Sequence, residues 1–219
     1  MSENFKNLVG NLAVLTTVLQ FLSGVLVCKQ YVVNRTTAET SPLPFLCGVL
    51  SALLWLFYGL SKHDDKIVLV NTIGVTLMSS YTVVFYLYTF KKSALLKQCF
   101  VVFLLSLFVI MYVKMSDDAE KIVAHLGICA SFVTLLTIAA PMSKLLHVLK
   151  VKNTECLPFP MILMSFFVSA LWFLYGEIEE DINLITVNFI GAVMALAQLS
   201  LFLIYPRKPV SPGLIKGIV

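Results

Sequence analysis

Two tryptophans and two asparagines recur in this chain at one spacing. Trp55 and Trp172 stand 117 residues apart, and so do Asn71 and Asn188; these are the only two tryptophans in 219 residues. An indole offers a broad apolar face with one N–H donor at its edge. A carboxamide offers two donors and an acceptor, which matches hydroxyl groups that both give and take hydrogen bonds. Stacking faces with neutral amides suit a sugar ring, which has C–H faces and a hydroxyl rim. Each type also has a plainer use: tryptophan anchors helices at membrane interfaces, and asparagine bonds helix to helix. The elements that carry the four residues decide between these uses.

The shared spacing belongs to a longer repeat. SALLWLFYG at 51–59 returns as SALWFLYG at 169–176. At the offset of 117, Gly74 falls on Gly191 and Gly24 on Pro141, while Leu43-Pro44-Phe45 returns as Leu157-Pro158-Phe159 at 114. A repeat on this scale reads as internal duplication.

Composition sets the solvent. The chain is 59% hydrophobic and 13% charged, with a mean hydropathy of +0.92; soluble domains hold about 45–50% and about 25%. Charges cluster and leave seven uncharged runs, at 7–28, 41–61, 67–90, 98–113, 122–143, 156–176 and 182–206. Six exceed the roughly 18 residues of a transmembrane helix, and the fourth falls just short. The expectation is an all-α integral membrane protein with seven spans, at about 7–28, 42–61, 67–90, 98–115, 122–146, 157–176 and 182–205. No basic stretch precedes the first run, so it reads as a span and not as a cleaved signal peptide. Each copy of the repeat then holds three spans. The fourth inverts the chain between them, so both triplets share one orientation, a 3+1+3 arrangement of parallel repeats. The expected division is 1–92 for the first repeat, 93–116 for the linker helix, 117–206 for the second repeat and 207–219 for a short tail. Parallel repeats of this kind build transporters whose substrate site lies near mid-membrane between them.

Loop charges set the expected orientation. With the N-terminus outside and the C-terminus cytosolic, inside segments hold 11 basic residues and outside segments five. Lys and Arg favour the inside of short loops, and the net charge of +4 is thereby an orientation signal. It marks no nucleic-acid partner. The five cysteines form no CxxC pair and none falls in an outside loop, so no disulfide is expected. The sequon at Asn34 falls inside and reads as unused.

In this topology Trp55 and Asn71 lie about 7–9 Å below the outer end of their spans, at about 1.5 Å per residue. Trp172 and Asn188 do the same in the second copy, so the four converge on one level from two sides. No Asp, Glu, Lys or Arg interrupts the seven runs. Ion and proton pathways normally carry such residues, so the substrate is expected to be uncharged and its movement uncoupled. His63, His125 and His147 have no metal-ligand spacing, and no phosphate loop or nucleophile pairing appears. No enzyme activity, metal or cofactor is expected. Pro141 lies within a helical run near the inner end of its span, where a missing backbone hydrogen bond makes a hinge. Pro44 and Pro158 open their spans at the same end, a position that suits proline in any helix, and Gly24 stands at the place matching Pro141.

An inside LPF, then WLFYG, a short acidic loop and VNTIG, given twice around a spacer helix, resembles the SWEET family of sugar transporters. The resemblance covers roughly residues 5–206. It implies energy-independent movement of monosaccharides such as glucose, with disaccharides as the alternative, by alternating access. It places substrate contacts on Asn71, Asn188 and Trp172, with Trp55 at the symmetric position narrowing the pocket. It places the family's inner proline tetrad on Pro44, Pro141 and Pro158, with Gly24 departing from it. It places an outer gate on Tyr58 and Asp181, with Lys66 as candidate partner, and it implies homo-oligomers in the bilayer. The expected location is the plasma membrane, with the Golgi or another endomembrane as alternative. A related seven-helix amino-acid transporter and a seven-helix receptor stand as rivals. The absence of a Pro-Gln pair lowers the first, and the repeat with its short loops lowers the second.

Overall fold

The computed structural model describes residues 3–38 and 40–207, apart from the side chains of 139–141. Glu39 and the tail from 208, counted in the loop charges, lie outside the described residues. Among the described residues the chain forms seven helices and no strand: α1 Glu3–Asn34, α2 Leu43–Lys62, α3 Asp65–Tyr88, α4 Lys92–Met115, α5 Ala119–Val151, α6 Phe159–Ile178 and α7 Ile182–Ile204. Each is long and apolar enough to cross a bilayer, since 20 residues of helix span about 30 Å. The shortest are α2 and α6, at 20 residues each. α1 and α5 run to 32 and 33 residues and overshoot their uncharged runs at both ends. Charge ends a hydrocarbon span, but it does not end a helix.

Helix ends follow local chemistry. One end of the bundle, hereafter the acidic end, carries the connections α2–α3, α4–α5 and α6–α7. Asp64, Asp118 and Asp181 cap the three helices that start there, each carboxylate accepting from first-turn backbone N–H groups. The Lys121 side chain and backbone beside Asp118 hold its carboxyl below the usual range. His63 turns left-handed (φ 57°) and sends its N–H back to Gly59 and Leu60, so two residues suffice to pass from α2 to α3. At the opposite, basic end, Pro44 and Pro160 sit in the first turns of α2 and α6, where a missing N–H leaves nothing unsatisfied.

The two triplets pack alike. α3 lies against both α1 and α2, and α7 against both α5 and α6. The repeats meet through α1 on α6 and α2 on α5, while α4 rests on α2. Leu95 is the one buried residue of α4, and its Phe100, Phe103 and Phe108 face outward, which is stable where the surroundings are hydrocarbon.

One hydrophobic core joins the repeats, and it occupies the acidic half. Val9, Leu54, Ile67 and Val70 of the first triplet pack with Leu126, Ala130, Leu184 and Val187 of the second. Toward the basic end each repeat keeps its own cluster. Tyr31, Phe45, Tyr81 and Phe85 form one, joined by Leu95 of the linker helix α4, and Val148, Leu157, Ile162, Ala195 and Leu201 form the other.

Candidate functional site

A cavity of about 110 Å³ lies between the triplets, bordering the shared core. Its ten lining residues form five pairs at the offset of 117: Thr17 and Thr134, Trp55 and Trp172, Ile67 and Leu184, Val70 and Val187, Asn71 and Asn188. Every residue on one side has its counterpart on the other, so the cavity sits on the pseudo-twofold axis. All four sequence-expected contact residues line it, and no charged side chain does.

The polar edges of these residues are arranged in a definite way. Trp55 donates its indole N–H to Thr134 Oγ1 at 2.9 Å, and Trp172 donates to Thr17 Oγ1 at 2.8 Å. Each tryptophan is thus held by a helix of the other repeat. Asn71 and Asn188 donate Nδ2 to the carbonyls of Ile67 and Leu184 on their own helices, at 2.8 and 2.9 Å. That leaves the carboxamide oxygens as the acceptors the cavity offers. Aliphatic walls, two indoles and two acceptors make a surface for a neutral, hydroxyl-bearing molecule of modest size.

The acidic end is shut above the cavity by two crossed pairs. Tyr58 donates to Asp181 Oδ2 at 2.7 Å, and Tyr175 donates to Asp64 Oδ2 at 3.0 Å. In both aspartates Oδ1 caps its own helix while Oδ2 accepts from the opposite repeat. The tyrosine rings lie against glycines across the interface. A Cβ at Gly10 would come within 2.9 Å of Tyr175, and one at Gly127 within 2.9 Å of Tyr58. Each tyrosine also packs edge-on against the tryptophan one turn below it, with centroids 5.3 Å apart for Trp55–Tyr58 and 5.5 Å for Trp172–Tyr175. The closure and the cavity wall are therefore one continuous stack.

The two closures differ in charge. Lys62, not Lys66, reaches Asp181, with Nζ 2.5 Å from Oδ2. Lys66 bonds to Asn11 Oδ1 instead. The expected partner is corrected for a geometric reason. Lys62 sits in the last turn of α2, one turn beyond Tyr58 on the same helix, whereas Lys66 starts α3 beside α1. The counterpart of Lys62 is Glu179, which pairs with Lys6 at 2.6 Å.

The expected hinge residues lie toward the basic end. Pro44 is the second residue of α2, and Pro158 immediately precedes α6. Pro141 falls inside α5, and its side chain lies outside the described residues. Gly24 is in contact with a ring: a Cβ there would collide with Tyr81, whose hydroxyl donates to the Phe21 carbonyl at 3.1 Å. The position opposite Tyr81 in the second repeat is Gln198. Glycine at 24 is thus the seat of a tyrosine.

Thr17, Thr134, Asp64, Tyr175 and Lys62 belong to the site and were not singled out from the sequence. The offset of 117 carries Thr17 onto Thr134, Asp64 onto Asp181 and Tyr58 onto Tyr175. Extending the repeat comparison residue by residue is the signal that finds the first four.

Comparison with known proteins agrees with this geometry. The family described as "Sugar efflux transporter for intercellular exchange" matches the chain twice, at 7–93 and 124–210. Both ends of the second match are displaced by 117 residues from the first. The protein called sugar transporter SWEET1 of Drosophila pseudoobscura pseudoobscura is 40% identical over 213 residues, covering 96% of this chain and 94% of its own. That of Caenorhabditis elegans is 33% identical over 196 residues, covering 90% of this chain and 64% of its own. The solved structure of a eukaryotic SWEET transporter aligns with a TM-score of 0.79 at 23% identity, over 92% of this chain and 98% of that one. This last likeness establishes the fold.

Proposed function

The chain belongs to the SWEET family of sugar transporters, and from that premise we propose that it is a facilitative carrier moving glucose or a similar monosaccharide through the cavity between its repeats. The observation that carries the reading is the lining of that cavity: five symmetric pairs, two indoles, two amide acceptors and no charge. Both repeats wall the cavity, so rocking one against the other about it opens it to one side of the membrane and then to the other, which is what alternating access requires. Cation coupling through side chains would call for ionisable groups at this depth. The cavity also lacks charges to meet a zwitterion, which disfavours an amino acid.

In this proposal the acidic end faces outside and the basic end faces the cytosol, following the 11 to five split of basic residues. The conformation is the one closed to the outside, with residues 1–92 and 117–206 as the moving units and 93–116 as the linker. Sugar stacks between Trp55 and Trp172 while Asn71 and Asn188 accept from its hydroxyls. Bending near Pro44, Pro141 and Pro158 serves the cytosolic side. The membrane proposed is the plasma membrane, with the Golgi as alternative, and the bare apolar face of α4 is available to a second copy of the chain.

Uptake of labelled glucose into sealed liposomes tests the reading. Equilibration to equal concentrations without a pH or sodium gradient, and unchanged by imposing one, is the expected result. Accumulation driven by a gradient would overturn facilitation. No movement of glucose, or of other monosaccharides, by folded protein would overturn the assignment as a sugar carrier.

A further inference from the structure

The crossed bonds between indoles and threonines carry an inference beyond the cavity's outline. Each of the two threonines has the same local arrangement. Thr17 donates its hydroxyl hydrogen to the Ala13 carbonyl at 2.7 Å, and Thr134 donates to Ala130 at 2.9 Å. A hydroxyl has one donor and two acceptor positions. With the hydrogen committed to the helix backbone, the oxygen is left as an acceptor aimed across the repeat interface. Trp172 and Trp55 fill those acceptors. Ala13 and Ala130 are fully buried beneath them, and they too are a pair at 117. Valine would fill the same space and remove the acceptor that each indole N–H now uses.

We propose that Thr17 and Thr134 are positioning residues of the sugar site, each fixing the orientation of the pocket tryptophan carried by the opposite repeat. The inference rests on the sugar-carrier reading for its transport consequence and on geometry alone for the pairing. Because each bond crosses between repeats, the angle of each aromatic wall is set by where the other repeat stands. Widening of the acidic end must break both bonds.

The pair is not fully equivalent, and the difference sharpens the test. Ser51 Oγ lies 3.3 Å from Thr134 Oγ1, one turn before Trp55 on the same helix. Its counterpart at the offset of 117 is Val168. A hydroxyl therefore stands beside the acceptor of Trp55, where the matching place in the second repeat holds a valine. Thr17→Val has the larger effect, and Ser51→Ala added to Thr134→Val removes the difference.

The two tryptophans make the experiment selective. In full-length protein carrying Trp55→Phe, the emission comes from Trp172; in Trp172→Phe it comes from Trp55. Thr17→Val is expected to shift the emission of Trp172 and leave that of Trp55 unmoved. Thr134→Val is expected to do the reverse, most clearly with Ser51→Ala present. Thr→Ser at either site restores the emission, which separates lost hydrogen bonding from misfolding. In liposomes with both tryptophans present, Thr17→Val raises the KM for glucose by about fivefold, and Thr17→Ser returns it to the parent value. Emission changes that ignore the crossing, or that serine fails to restore, overturn the pairing. An unchanged KM in Thr17→Val overturns the positioning role. A crossed emission pattern in a protein that moves no glucose upholds the pairing and strikes the carrier reading alone.

Discussion

The two ends of this bundle are made from the same helices and are held in different ways. At the acidic end the repeats share one core, two Tyr–Asp bonds and two Trp–Thr bonds, all crossing between triplets. Toward the basic end the apolar clusters stay within each repeat, with Tyr31, Phe45 and Tyr81 on one side and Leu157, Ile162 and Leu201 on the other, and Gln20 Nε2 donates across to Ser165 Oγ at 2.8 Å just below the cavity. Rigid units that touch firmly at one end and weakly at the other can rock about the site between them. The lesson lies in where the polar bonds are spent. Across the interface they close a path, and within a repeat they keep a moving part intact.

Breaking the acidic end at its most connected residue gives the largest expected effect. Asp181 is 2% exposed and accepts from Tyr58, from Lys62 and from two first-turn amides of α7. Asp181→Ala is expected to lower stability by about 3 kcal/mol, from the lost cap and the charged hydrogen bond together. Asp181→Asn keeps a capping oxygen and loses less. Thermal unfolding in detergent checks the order, and an alanine variant as stable as the parent would refute the dual role.

A change at the basic end tests whether packing within a repeat is as tight as it looks. Gly24→Ala places a methyl group where Tyr81 already sits. It is expected to cost about 1–3 kcal/mol through overpacking, with Tyr81→Ala recovering much of it. Full tolerance of Gly24→Ala beside an intact Tyr81 would mean that α1 and α3 separate more easily than their contact implies.

The two tyrosines should differ from one another. Without the Tyr175 hydroxyl, Asp64 Oδ2 has lost its cross-repeat donor, whereas Asp181 without Tyr58 still holds Lys62. A Val70→Cys reporter in the cavity wall, labelled by a membrane-impermeant thiol reagent from the acidic side, reads the opening. Labelling should quicken by about tenfold in Tyr175→Phe and by less in Tyr58→Phe. Equal rates would remove the asymmetry. Lys62→Met is the smallest expected change, about threefold or less in the same assay, because the lysine side chain is 28% exposed and solvent screens it.

Much of this was legible in the chain itself. Uncharged runs gave the seven spans because hydrocarbon excludes charge, and one recurring phrase gave the repeat. The four residues Trp55, Trp172, Asn71 and Asn188 were visible because their types are rare or costly in a membrane helix. Thr17 and Thr134 were hidden for the opposite reason. Threonine is ordinary in such helices, and in this chain Thr72, Thr76 and Thr82 also bond to their own backbones. Only the partner across the interface distinguishes the two at the cavity. The choice between Lys62 and Lys66 turned on which helix turn faces Asp181, a matter of rotation about the α2 and α3 axes. Gly24 is legible as the counterpart of Pro141, whereas the ring of Tyr81 packed against it is set by the rotation of α3 and is not.

The central claim is that sugar passes between two equivalent halves of one site, so that each half is needed. Counterflow exchange of labelled glucose in sealed liposomes measures this directly for the parent protein, Trp55→Ala and Trp172→Ala, each shown by its melting curve to be folded. The account predicts exchange by the parent and its loss in both variants. Exchange at the parent rate in either one would contradict it, and would place the path of the sugar outside the cavity on the dyad.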